Sequence, residues 1–176
     1  ERRVKMDEGG NVSGVDSVPR LDSHRLIEEF MINANVAAAE TLERRRAPCM
    51  FRIHDKPSQE KMESLRETLA SLGIKLARGQ VIKPHLFQNI LKKFRDTPQH
   101  YLVGMAILRT QAQATYGPEN IGHFGLSLRR YAHFTSPIRR YSDLLVHRAL
   151  IDSLKLGNDG LRTQTEDRFS EVAKHK

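Results

Sequence analysis

From His24 to Leu145 the apolar residues return at intervals of three or four, and each such run is cut by proline, glycine or a cluster of turn residues. This pattern constrains the fold most. It calls for several amphipathic helices, each needing a surface on which to bury its stripe. Ile27, Met31, Ala34, Ala38 and Thr41 or Leu42 share one face, with Asp22 or Ser23 as cap, and predict a helix over 23–44. Glu28, Asn35 and Ala39 project from a different face, and Arg44-Arg45-Arg46 ends the helix where cations suit the dipole. Pro57-Ser58 opens a second helix with a Met62, Leu65, Leu69, Leu72 stripe, closed by Gly73. Pro84 starts a third, carrying Leu86, Phe87, Ile90, Leu91 and Phe94. Thr97-Pro98 starts a fourth, whose run from Tyr101 to Leu108 is so apolar that burial on most sides is expected; Gln111, Gln113 and Tyr116 then lead out through Gly117-Pro118.

Strands are few. Residues 2–6 and 12–18 flank Asp7-Glu8-Gly9-Gly10-Asn11 and predict a two-stranded ribbon, marginal alone and so expected to belong to a sheet that is partly missing. Cys49 to His54 alternates, with Cys49, Phe51 and Ile53 inward. The fold class is α+β: helix-rich, with helices covering a partial antiparallel sheet. A lone cysteine excludes an internal disulfide and cannot alone build a zinc site, so stability must come from packing. No apolar run approaches the roughly 18 to 20 residues of a membrane span, and no signal peptide opens the chain, so no membrane partner and a cytoplasmic location are expected. The chain opens on Glu1 and closes without a terminating element, which reads as an excised fragment.

The 176 residues carry a formal charge of +8, and arginine outnumbers lysine among the bases. Guanidinium fits phosphate or carboxylate bidentately where ammonium cannot. The bases concentrate in GHFGLSLRRYAHFTSPIRRYSDLLVHR, residues 122–148, where Arg129, Arg130, Arg139, Arg140 and Arg148 stand with a single acid, Asp143, and with interleaved Phe124, Tyr131, Phe134 and Tyr141. Cations with aromatic faces suit a single-stranded nucleic-acid channel; ordinary core is the bland reading of Phe124 and Phe134. Ser136-Pro137 predicts a helix start with Ile138, Tyr141 and Leu145 as its stripe, which puts Arg139 and Arg140 in the first turn. Cations there work against the dipole by about 0.3 to 1 kcal/mol each. That conflict invites an external anion, met by free N–H groups, the Thr135 and Ser136 hydroxyls and two guanidiniums. The alternative is an Arg139–Asp143 pair at i, i+4, which leaves Arg140 unpartnered. His123, His133 and His147 are too scattered for a helical metal pair, no acidic cluster suits a divalent ion, and no phosphate-cradling glycine loop or Gly-x-Ser-x-Gly elbow is present.

His123-Phe124-Gly125-Leu126 with Tyr131-Ala132-His133-Phe134-Thr135-Ser136-Pro137-Ile138-Arg139-Arg140-Tyr141-Ser142-Asp143 resembles the signature of the ribonuclease II and ribonuclease R (RNB) family. The stretch from His24-Arg25-Leu26-Ile27-Glu28-Glu29 to Asn33-Ala34-Asn35 resembles that family's other recurrent stretch, and the wording is nearest to the bacterial ribonuclease R branch. The resemblance runs from about Arg2 to Leu150. It implies a processive, hydrolytic 3′ to 5′ exoribonuclease that releases nucleoside 5′-monophosphates, with Mg2+ at the scissile phosphate. It further implies that residues 1–176 are the C-terminal part of the catalytic domain. The family's metal-holding aspartates, and its flanking cold-shock and S1-like domains, precede or follow the region seen here. By the family's pattern Arg139 reaches the phosphate at the cleavage site and Glu28 lines the same cavity. Tyr131, His133, Thr135, Ser136, Arg140, Tyr141 and Asn35 are the candidate contacts to single-stranded RNA, and the upstream part of the same domain is the expected protein partner. The isolated piece is expected to be inactive, with apolar surface uncovered on the helices at 23–44 and 98–112. Two other readings stay open: a non-catalytic RNA-binding module derived from the family, and a basic protein-interaction domain.

Overall fold

A computed structural model describes residues 2–17, 19–79, 82–161, 169 and 171–173. The chain divides into two compact units, Glu1–Ala34 and Asn35–Lys176. In the first, β1 (Arg2–Met6) pairs antiparallel with β2 (Val12–Ser17), with Val4 opposite Val15. The turn forms as its residues dictate: the Asp7 carboxylate accepts the Gly9 and Asn11 N–H groups at 2.9 and 2.8 Å, and Gly10 takes φ 79°. Val18, expected to end the second strand, lies outside the described residues. Val4, Met6, Val12 and Val15 are all exposed, as suits a ribbon without a covering layer.

Helix α1 (Asp22–Arg44) has the predicted extent, and Ala38 and Leu42 of the predicted stripe are buried, but its N-terminal members are not. Its buried residues are Asn35, Ala38, Ala39 and Leu42, whereas Ile27 is 56% exposed and Met31 is exposed as well. Paired alanines let the helix backbone approach its neighbours closely, and Asn35 is admitted to the interior because both ends of its amide find partners there.

Within the second unit two cores form. In one, Ala38, Ala39 and Leu42 of α1 meet Cys49, Met50, Phe51, Ala132 and Phe169, together with Leu145, Val146 and Ala149 of α5 (Tyr141–Leu154). Burial pushes the Cys49 thiol up to about 12, so it is inert packing. Strand β3 (Phe51–Ile53) pairs antiparallel with β4 (Thr115–Gly117), placing Arg52 opposite Tyr116. Residues 115–117, read as a lead-out, are therefore a strand. Three residues show no period of their own, and their pairing partners lie 62 to 66 positions back in the chain, so local sequence could not reveal it. Met50, fully buried, also breaks the expected alternation of residues 49–54.

The other core joins α2 (Gln59–Ser71), α3 (Pro84–Lys93) and α4 (His100–Thr110) through Met62, Leu65, Leu69, Phe87, Ile90, Phe94, Val103 and Ile107. Ser58 Oγ caps α2 by accepting the Lys61 N–H at 3.3 Å, and Gly73 at φ 78° ends it while the Ile74 N–H reaches the Leu69 carbonyl at 2.9 Å. Helix α4 starts at His100, not at Thr97-Pro98, and only Val103, Ile107 and Thr110 are buried in it. Tyr101 is 77% exposed, and Leu102 and Leu108 are exposed too, so the expectation of burial on most sides is not met. α2 and α3 cover one flank of α4 only.

Before the short 3-10 turn Phe124–Leu126, Gly122 holds φ 82°, and a Cβ there would meet the Leu128 carbonyl oxygen at 3.1 Å. Gly122→Ala should therefore lower unfolding free energy by about 1 to 3 kcal/mol in denaturant titration. Gly14→Ala, where a Cβ meets nothing within 4 Å, is the near-neutral comparison.

Candidate nucleic-acid interface

Residues 136–139 form a turn that precedes α5, whose first residue is Tyr141. The helix start predicted at Ser136-Pro137 is thus displaced, because Asp143 claims the Ser136 backbone. Its carboxylate, wholly buried, accepts the Ser136 N–H at 2.9 Å and a bidentate Arg140 pair at 2.8 Å from both Nε and Nη2. Ser142 Oγ donates to it at 3.2 Å. Burial would push the Asp143 carboxyl up, but the Arg140 and Ser136 hydrogen bonds and the Arg140 charge outweigh burial and hold it below the usual carboxylate range. The alternative Arg139–Asp143 pair does not form: Arg140 is the partner of Asp143. Arg139 is exposed, and its guanidinium has no hydrogen-bond or carboxylate partner among the described residues. Ile138 is fully exposed and Tyr141 half exposed, so neither belongs to the apolar stripe assigned to them.

Behind the turn, Asn35 bridges two segments. Its Nδ2 donates to the Tyr131 hydroxyl and its Oδ1 accepts the Phe134 N–H, both at 2.9 Å. Tyr131 is buried and lies edge-on between His123 and His133, with ring centroids 5.4 and 5.6 Å away. His133 Nδ1 is 2.7 Å from the Tyr116 hydroxyl, and the Arg52 guanidinium sits 4.6 Å from the Tyr116 ring centroid. His147 stacks on Phe134 with centroids 4.2 Å apart and donates from Nε2 to the Phe134 carbonyl at 2.8 Å. His54 Nε2 donates to the Ala112 carbonyl while its Nδ1 accepts the Gly125 N–H, each at 2.8 Å.

The second unit thus assembles Asn35, Tyr131 and His133 in one network and Ser136, Arg140 and Asp143 in another, with His133 within electrostatic reach of Arg140 and Asp143. Thr135 joins them by sequence, but its hydroxyl is buried without a partner. Ser136 contributes its N–H to Asp143. Glu28 belongs to the first unit, where its carboxylate is paired with Arg20. Arg130, one of the five arginines of the segment, is taken by Glu43. Sequence reasoning missed Arg52, His54 and Tyr116. The lone signal was the place of Arg52 and Tyr116 on short strands, which the register of β3 against β4 sets opposite one another. Among the described residues no three His, Cys, Asp or Glu side chains converge as a metal site, and no helix is long and apolar enough to cross a membrane.

Two imidazoles are held neutral. Burial lowers His123 to about 4, helped by the nearby His54 and Arg52. His133 is likewise lowered to about 4, by burial first and then by the Arg140 charge, against the opposing pull of Asp143.

The fold is α+β, helix-rich with small antiparallel sheets, and its position among known proteins is clear. Residues 1–155 match the RNB domain family, and the chain belongs to that family. It is 46% identical to ribonuclease R of Aquifex aeolicus over 155 residues, which are 88% of this chain and 22% of that protein. With ribonuclease R of Escherichia coli the identity is 45% over 167 residues, 94% of this chain and 20% of that protein. The chain therefore spans about a fifth of the length of these relatives. The solved structure of Mycoplasma genitalium RNase R in complex with ribose-methylated single-stranded RNA superposes with a TM-score of 0.83 at 28% identity, over 98% of this chain and 28% of that one.

The neutral imidazoles make stability depend on pH. An unfolded imidazole titrates near 6.5 and these two near 4, so between those values the unfolded chain binds more protons. Their stabilising share is complete above about pH 6.5 and is lost as pH falls toward about 4. The Asp143 share, whose carboxyl is lowered, fades only at still lower pH. Urea midpoints should fall steadily from pH 7 to 4.5, and a His123→Gln, His133→Gln double variant should flatten that slope. A midpoint constant over the range in the unaltered chain would contradict the assignment.

Proposed function

We propose that residues 1–176 are the C-terminal part of the catalytic domain of a cytoplasmic 3′ to 5′ exoribonuclease of the ribonuclease R kind, which hydrolyses single-stranded RNA processively to nucleoside 5′-monophosphates. Family membership and a chain spanning about a fifth of its relatives support the placement. The observation that carries the site is Arg139, exposed and unpaired among the described residues, on a turn anchored to the buried Asp143. In phosphodiester hydrolysis charge grows on the nonbridging oxygens. A planar guanidinium fixed beforehand meets that charge without reorganising. In this reading His133, Thr135, Ser136, Arg140 and Tyr141 border the RNA, while Asn35 and Tyr131 back them from the interior. Glu28, in the first unit, is assigned by the family's pattern to orient a hydroxyl at the terminal nucleotide. Doing so means leaving Arg20, an exposed ion pair of the kind worth about 0 to 1 kcal/mol.

Mg2+ at the scissile phosphate belongs to the family reading, but the residues described here do not fit a magnesium site. Asp143 is engaged by Arg140 and Ser136, Glu28 by Arg20, and no third carboxylate joins either. The proposal assigns the ion to carboxylates of the upstream part of the domain, the intended partner of this chain. The same shortage favours a second reading, a non-catalytic RNA-binding module.

In the full-length protein, Arg139→Ala should lower turnover at least about a hundredfold while RNA affinity changes far less, because many phosphate contacts share binding and one guanidinium addresses the transition state. Arg139→Lys should fail to rescue, the fork being lost. Equal losses in rate and affinity would make Arg139 a simple binding residue. The 176-residue chain alone, incubated with labelled single-stranded RNA and Mg2+, should release no mononucleotides; robust release from a preparation free of host nuclease would overturn the assignment of the metal ligands to another part of the protein.

A further inference from the structure

A cleft of about 590 Å3 opens beside the β3–β4 pair, walled by Arg52, Thr115 and Tyr116 on the strands and by Arg140, Tyr141 and Ser142 at the start of α5. Its volume lies within the roughly 300 to 1,000 Å3 of small-molecule sites, and its surface mixes an apolar floor with a few polar groups, as such sites do. Met50, Val172 and Ala173 form part of that floor.

The two guanidiniums at the cleft differ. Arg140 is neutralised by Asp143 through two bonds of 2.8 Å. Arg52 is half-buried, and no carboxylate pairs with it among the described residues. Its guanidinium lies over the Tyr116 ring. A partly desolvated cation without a counter-charge is costly unless an anion completes it. Arg52 is also held in place rather than swinging free: its N–H donates to the Tyr131 carbonyl at 2.8 Å, and the strand register sets it against Tyr116. The field around it is positive enough that Arg52 and Arg140 both help keep His133 unprotonated. Across the cleft the Tyr141 ring is half exposed, a flat apolar face with no ring partner among the described residues. A cation without a counter-charge and a half-exposed aromatic ring, lining one cleft, describe a ligand that is both anionic and aromatic.

We propose that this cleft is a nucleotide subsite, in which Arg52 takes the phosphate of a nucleoside monophosphate unit and Tyr141, with the apolar floor, takes its base. The choice of a nucleotide over another aromatic anion rests on the RNA-binding reading above. Arg52 is then a second phosphate ligand, separate from Arg139 on the turn. Base stacking on one aromatic ring is sequence-tolerant, so all four bases should enter.

The test uses the 176-residue chain and adenosine 5′-monophosphate, titrated by calorimetry and followed by the His133 ring resonances, which lie one hydrogen bond from Tyr116. The nucleotide should bind and shift His133. Arg52→Ala should weaken binding about tenfold or more, and Arg52→Lys should recover only part of it. Tyr141→Ala, at an exposed position where folding is not at stake, should reduce affinity to that of ribose 5-phosphate. Thermal melts of each variant establish that it is folded. Undiminished binding by a folded Arg52→Ala variant would overturn the subsite, as would no binding by the unaltered chain. If that chain nonetheless retains single-stranded RNA with steep inverse salt dependence, the RNA-binding reading stands while the subsite falls. Nucleotide binding lost in Arg139→Ala but kept in Arg52→Ala would place the ligand at the turn and also overturn the cleft. Phenyl phosphate binding as tightly as the nucleotide would overturn the nucleotide assignment.

Discussion

A single carboxylate organises the second unit. Asp143 has no exposed surface, and burying an ionised group is expensive unless its lone pairs are filled. Here they are filled by the Arg140 fork, the Ser136 N–H and the Ser142 hydroxyl. The consequences run outward from that satisfaction. The backbone before α5 is drawn into a turn instead of continuing the helix toward Ser136. Arg140 is spent on structure, and Arg139 is left at the apex facing solvent. One acid among five arginines thus decides which of two adjacent cations is held inside and which is available to an anion.

Behind that turn lies a chain of rings joined by hydrogen bonds and edge contacts: His123, Tyr131, His133 and Tyr116, with Arg52 over the last. Asn35 locks it to α1 through bonds at both ends of its amide. His123 and His133 are kept uncharged by burial and neighbouring cations. Neutral histidines beside guanidiniums leave the positive charge concentrated on arginine, where it is independent of pH over the physiological range.

The apolar residues left exposed have a pattern of their own. On α4, Tyr101, Leu102 and Leu108 face away from the core that α2 and α3 supply. On the β1–β2 ribbon, Val4, Met6, Val12 and Val15 are exposed. Each surface belongs to an element whose sequence is apolar beyond what its own unit covers, which suits a chain that spans about a fifth of its relatives' length.

The sequence by itself determined what depends on neighbours in the chain. Ser58 and Gly73 bound α2, Pro84 starts α3, Asp7 and Gly10 shape the ribbon turn, and the two motifs identify the family; each signal is complete within a few residues. Only the tertiary structure decided what depends on partners brought from afar. Which face of α1 is buried was settled by the close approach of Ala38 and Ala39 and by the buried partners of Asn35, 96 and 99 positions away. The strand at 115–117 exists because β3 lies beside it. Arg140 rather than Arg139 meets Asp143 because the turn, pinned by the Ser136 N–H, sets the direction of both side chains. Helical spacing ranks candidates on an isolated helix, but a buried carboxylate chooses among them by the geometry that satisfies all of its hydrogen bonds at once.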